Sequence, residues 1–97
     1  MPDSGRALRV AALRLLTRRD HSRAELKAKL AAAAESPEQL DAVLDTLQAE
    51  RLLSDHRFAT QRVVARAGRY GDARLKQELR QQGVSDEDIS AALPEGG

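Results

Sequence analysis

The chain has 97 residues, no cysteine and a formal net charge of +1. So short a chain buries a modest fraction of its surface, so it holds one domain or two very small units that lean on each other. Without cysteine there are no disulfides or thiolate metal ligands, and no apolar run reaches a membrane span or forms a secretory leader. The expectation is a soluble cytoplasmic protein without a cofactor.

The near-zero charge hides an alternation. Residues 1–30 carry +5, residues 31–61 carry −4, residues 62–82 carry +4 and residues 83–97 carry −4. Such segregation suits a basic face for a polyanion and an acidic face elsewhere. With 32% of the residues charged, some clustering also arises by chance.

In chain order, Met1–Arg6 holds Pro2 and Gly5 and no apolar period, and is expected to be a frayed tail. From Ala7, Leu8, Ala12, Leu15 and Leu16 form one helical stripe, with Arg9, Arg14, Arg18 and Arg19 on the other surfaces. Ser22 and Glu25 read as a capping box opening a second helix that buries Leu26 and Leu30; Ala31–Ala34 prolong it. Ser36-Pro37-Glu38-Gln39 starts a third helix, which buries Leu40, Val43, Leu44 and Leu47 and ends near Glu50. Leu52 and Leu53 are both expected in the core.

Ser54-Asp55 caps a fourth helix with Phe58 as its anchor, followed on the same face by Ala59, Val63 and Ala67. Arg62, Arg66 and Arg69 stand beside that face at i, i+4 and i+7. Gly68 and Gly71 bracket Arg69-Tyr70, and a fifth helix from Gly71 or Asp72 buries Leu75 and Leu79. Gly83 suits a left-handed helix end. Ser85 with Asp88 caps a sixth helix that buries Ile89 and Leu93, and Pro94 cannot continue it.

The helices repeat. His21–Leu44 and Tyr70–Leu93 align without a gap at a spacing of 49, with 8 identities in 24 positions. The identities include Ala24/Ala73, Leu26/Leu75, Lys27/Lys76, Leu30/Leu79 and Ser36/Ser85. A helical period of this length indicates stacked small units. The reading is an all-α fold of tandem three-helix repeats, one within residues 1–53 and the other within residues 54–97.

Nothing in the chain assembles a catalytic group. His21 and His56 are the titratable candidates near neutrality and sit at helix starts in different units. No metal-ligand cluster, phosphate loop or nucleophile motif stands out. An enzyme with a small-molecule substrate is not the expectation.

Three pieces carry a resemblance: Arg-Arg-Asp-His-Ser-x-x-Glu-Leu over Arg18–Leu26, the join Leu52/Leu53-x-Asp55-x-x-Phe58-Ala59, and Gly71 followed by Leu75-x-x-Glu78-Leu79 and Gly83. In this order and spacing, over nearly all of residues 8–93, the chain resembles the RecX family of bacterial regulators. The resemblance implies tandem three-helix repeats that bind the RecA recombinase and its filament on single-stranded DNA and generally inhibit it. Family members usually carry a third repeat, which would follow Leu93, so the chain reads as a short natural form or a fragment. The family's usual glycine after the second helix is Ala34 here.

Arginine supplies 13 of the 16 basic residues, and its planar fork suits phosphate and carboxylate; a GC-rich genome enriches arginine too. The expected contact set is Arg14, Arg18, Arg19, Arg23 and Lys27 in the first unit. Its counterpart in the second is Arg62, Arg66, Arg69, Arg74 and Lys76. Both patches are expected to turn the same way, toward single-stranded DNA and the recombinase. A helix-turn-helix duplex reader and a charge-paired scaffold are the rival readings.

Overall fold

Serine hydroxyls decide where four of the helices start. The computed structural model describes residues 4–66 and 68–93. In it α1 (Ser4–Arg18) leads into α2 (Arg23–Leu30), α3 (Pro37–Ala49) and α4 (Asp55–Arg66). Next come α5 (Asp72–Gln81) and α6 (Asp86–Ala92). Ser22, Ser36 and Ser85 accept the N–H three residues on at 3.1, 3.1 and 3.2 Å, and Ser54 accepts that of Arg57 at 3.0 Å. Each such bond satisfies an orphan donor of a first turn and is worth about 1 kcal/mol. No strand occurs among the described residues, and the fold is all-α.

Two cores follow from leucines spaced at helical turns. The first gathers Leu8, Leu26, Leu30, Leu40, Leu44 and Leu47 with Ala12 and Leu53. The second gathers Phe58, Leu75, Leu79, Val84, Ile89 and Leu93 with Ala59. Each fully buried large side chain contributes about 1.5–3 kcal/mol relative to exposure. The molecule is elongated, 56 × 21 × 21 Å, with one core behind the other.

Where the units meet, the contacts are polar and close. The Ser22 hydroxyl donates to the Gln82 carbonyl at 2.7 Å while it accepts from Glu25. Asp55 accepts the Arg23 N–H at 2.7 Å, so the second unit completes the first turn of α2. Partial burial raises the Asp55 carboxyl above its usual range, and the Arg23 N–H opposes that rise. Arg57 donates to Asp20 at 2.8 Å and to the carbonyls of Arg51 and Leu52.

The same helix ending occurs twice. After α3, Leu52 N–H reaches the Leu47 carbonyl at 2.9 Å and Arg51 N–H the Gln48 carbonyl at 3.0 Å. After α5, Val84 N–H reaches Leu79 and Gly83 N–H reaches Arg80, both at 3.0 Å. This double bond pattern needs a left-handed residue at the turn. Gly83 supplies it at φ +81°, and Arg51 supplies it at φ +63°. Gly83 has a second reason: a Cβ there would lie 2.4 Å from the Cβ of Ala24 across the junction.

Several expectations need correction. The helix begins at Ser4 rather than Ala7, because the Gln39 amide donates to the Ser4 hydroxyl at 2.8 Å and ties the first turn to α3. Ala31–Ala33 tighten into a 3₁₀ turn instead of extending α2. The capping box of Ser22 does not close on itself, because Glu25 turns to Arg19; at the start of α3, Gln39 accepts from the Glu35 N–H at 2.8 Å. Leu53 is buried at 1% exposure, but Leu52 is 41% exposed because the left-handed Arg51 turns it outward. Val43 is partly buried. Ala67 and the segment from Pro94 lie outside the described residues.

Candidate polyanion interface

The ten candidate cations divide by unit. In the first unit Arg23 donates to Asp45 at 2.7 Å and to the side-chain oxygen of Gln48, and it lies 3.5 Å from Asp41. Lys27 meets Asp41 at 2.9 Å. Both are therefore turned onto α3. The Lys27 ammonium, with Arg23 behind it, lowers the Asp41 carboxyl below its usual range. Arg19 forks onto Glu25 at 3.1 and 2.5 Å. That bond holds the Glu25 carboxyl low and the Arg19 guanidinium high. Arg14 and Arg18, one turn apart on α1, are exposed and have no acid partner among the described residues.

His21 sits behind this knot, only 2% exposed. Its Nδ1 is 3.0 Å from the Arg19 carbonyl and its Nε2 is 3.1 Å from the Lys29 ammonium. The arrangement fits one neutral tautomer, with Nδ1–H donating and Nε2 accepting. Burial depresses its pKa, against the opposing pull of the Arg19 carbonyl. The residue is an internal strut of the α1–α2 turn.

The second unit leaves most of its candidate cations open, although Arg80, outside that set, meets Asp86 at 2.9 Å. Arg62, Arg69, Arg74 and Lys76 have no acid partner among the described residues, and of that set only Arg66 is paired, to Glu78 at 3.0 and 3.3 Å. The repeat register explains the difference. Asp41 and Asp45 correspond to Ser90 and Pro94, and Glu25 corresponds to Arg74. The acids that quench the first unit are absent from the second, and one of them has become a base.

Some of these side chains come together. Arg19 and Arg62 line one depression of about 220 Å³ across the junction, with Asp20 and Phe58. Arg62 covers the Phe58 ring at 5.2 Å. Arg66 follows one turn later, and Arg66 and Arg74 lie over the Tyr70 ring at 5.4 and 4.1 Å. Arg69 is exposed in the turn just before Tyr70. The result is a run of guanidinium groups from Arg19 across α4 to α5. Lys76 stands apart, about 200° around α5 from Arg74 at helical pitch.

Exposed guanidinium without a carboxylate is free to take phosphate or an acidic side chain bidentately. A surface ion pair is worth only about 0–1 kcal/mol, so the paired cations can change partner, but they begin compensated. Sequence reasoning missed the partners Glu25, Asp41, Asp45 and Glu78, although the repeat alignment held the signal. Among the described residues no group of histidine and acidic side chains could hold a metal ion, and no helix is long and apolar enough to cross a membrane.

Comparison with known proteins gives this pair of units a family. The profile described as RecX, first three-helix domain, matches residues 9–47, and that described as RecX, second three-helix domain, matches residues 54–93. The chain is 48% identical over 89 residues to the regulatory protein RecX of Ralstonia pickettii, covering 92% of this chain and 56% of the relative. It is 42% identical over 93 residues to that of Chromobacterium violaceum, covering 96% and 61%. With that of Pseudomonas syringae pv. tomato it shares 43% over 96 residues, covering 98% and 62%. The chain thus spans somewhat more than half the length of these curated relatives. With both three-helix domains matched in order and with such identity along most of its length, the chain belongs to the RecX family.

Proposed function

We propose that the chain is a cytoplasmic regulatory protein, not an enzyme, that binds the RecA recombinase and its filament on single-stranded DNA and lowers its activity. RecA enters this reading through the family. The physical observation that carries it is the open charge of the second unit, where Arg62, Arg69 and Arg74 meet no acid among the described residues and run on from Arg19 and Arg66. A filament on DNA offers both phosphates and acidic protein surface to such a run. In this reading Leu53–Ser54 is the boundary between the repeats. The first unit's Arg23 and Lys27 serve its own fold, and Arg14 and Arg18 provide a secondary contact.

The test is a titration of the chain into preformed RecA filaments, reading ATP hydrolysis and bound DNA together. Hydrolysis falls as the chain is added, and the effect weakens as salt is raised. Unchanged hydrolysis at saturating chain would refute the proposal. Preference for one duplex in the presence of excess unrelated DNA would replace it with the helix-turn-helix reading.

A further inference from the structure

A second feature of α5 shares Arg74 with the run of guanidinium groups but adds uncharged partners. Arg74, Gln77, Glu78 and Gln81 fall at i, i+3, i+4 and i+7, forming one stripe along the helix. With Tyr70 above them they line an open depression of about 290 Å³. The Tyr70 ring is half-buried against the second core, and Arg66, itself clamped by Glu78, lies over it at 5.4 Å. Arg74 rests over the ring without an acid partner among the described residues. The exposed amides of Gln77 and Gln81 have no hydrogen-bond partner among the described residues. The other aromatic ring, Phe58, is buried and covered by Arg62.

The Arg74 guanidinium plane, laid 4.1 Å over the half-buried Tyr70 ring and without an acid partner among the described residues, can stack a flat ligand, and the two amides offer donors and acceptors to a mixed hydrogen-bonding edge. A lone anion would use only the N–H groups of the amides, leave their carbonyl oxygens without a donor and face Glu78. An apolar side chain would find the Tyr70 ring as its one apolar contact among four polar side chains. We propose that this depression takes one unstacked nucleobase of a single-stranded DNA, stacked on Arg74 over Tyr70 and contacted along its edge by Gln77 and Gln81. Arg69, in the adjoining turn, and the remaining charge of Arg74 then meet the phosphates on either side. The proposal rests on the reading that the chain meets single-stranded DNA, and it adds that one base is held.

The test compares the intact chain on oligo(dT) and on a strand of the same length and charge made of abasic sites, by fluorescence anisotropy. The abasic strand binds about tenfold more weakly. Tyr70→Ala loses the same factor on oligo(dT), loses nothing further on the abasic strand and keeps the salt dependence. Because Tyr70 also touches the second core, Gln77→Ala/Gln81→Ala on the exposed face is a second variant, and it weakens oligo(dT) binding about fivefold. Equal affinity of the unaltered chain for the two strands overturns the base site. The regulator reading then still stands if RecA hydrolysis falls. Absence of binding to either strand together with unchanged RecA hydrolysis overturns both.

Discussion

In the first unit Lys27 meets Asp41 at 2.9 Å; its repeat counterpart Lys76 meets no acid among the described residues, because Ser90 stands where Asp41 would be. Glu25, which neutralises Arg19, is replaced in the second unit by Arg74. The two units share leucine spacing and the serine start of their last helix, yet among the described residues the first pairs three of its five candidate cations with its own acids and the second pairs one of five. Duplication conserved the packing positions, where a change costs several kcal/mol. The surface partners, each worth about 0–1 kcal/mol, were free to diverge. That is how one scaffold can hold a structural half and a contacting half.

The largest effect that breaks the comparison lies where the halves meet. Gly83→Ala combines a left-handed residue with a Cβ 2.4 Å from that of Ala24. It should destabilise the chain by about 3 kcal/mol in denaturant titration. The similar helix ending after α3, which closes the first unit rather than standing at the repeat position of Gly83, gives the opposite sign. Arg51 occupies the left-handed region at φ +63°, so Arg51→Gly should gain about 1 kcal/mol. A loss there would show that the Arg51 side chain contributes more than its backbone strain costs.

Charge exchange sharpens the comparison with smaller effects. Asp41→Ser should free Lys27 and raise affinity for single-stranded DNA about threefold, and Ser90→Asp should lower it by a similar factor. Anisotropy titrations at fixed salt read both. Acid pH separates the units in stability. The folded pKa of His21 is depressed by burial, so its contribution is complete above about pH 6.5, the unfolded value, and is lost as pH falls through the folded one. Glu25, held low by Arg19, loses its contribution further down, below about pH 4.3. Asp55, raised by burial, acts in the opposite sense and favours the fold at acid pH. The melting temperature should therefore fall as pH is lowered from 7 to 5, and His21→Gln should flatten that decline.

Much of the architecture was legible because its signals are local. Serine caps, Pro37 and leucines one turn apart define the helices within a few residues. What escaped depends on distance in sequence. Ser22 finds Gln82 sixty residues away, and Ser4 gains its helical place only from Gln39. Leu52 followed the apolar pattern but is turned out by a left-handed arginine, a conformation its residue type disfavours. The cations were legible as a set. Their division into closed and open halves required asking which acids sit at the same repeat positions.

The central claim is that the second unit's open cations, not the first unit's paired ones, meet the polyanion. The salt dependence of affinity for single-stranded DNA measures this directly, since each neutralised phosphate contributes a slope of about −0.7. Arg69→Gln/Arg74→Gln should make the log–log slope shallower by about 1.4, while Arg23→Gln/Lys27→Gln should leave it unchanged. A slope that flattens for the first-unit pair and holds for the second-unit pair would contradict the account.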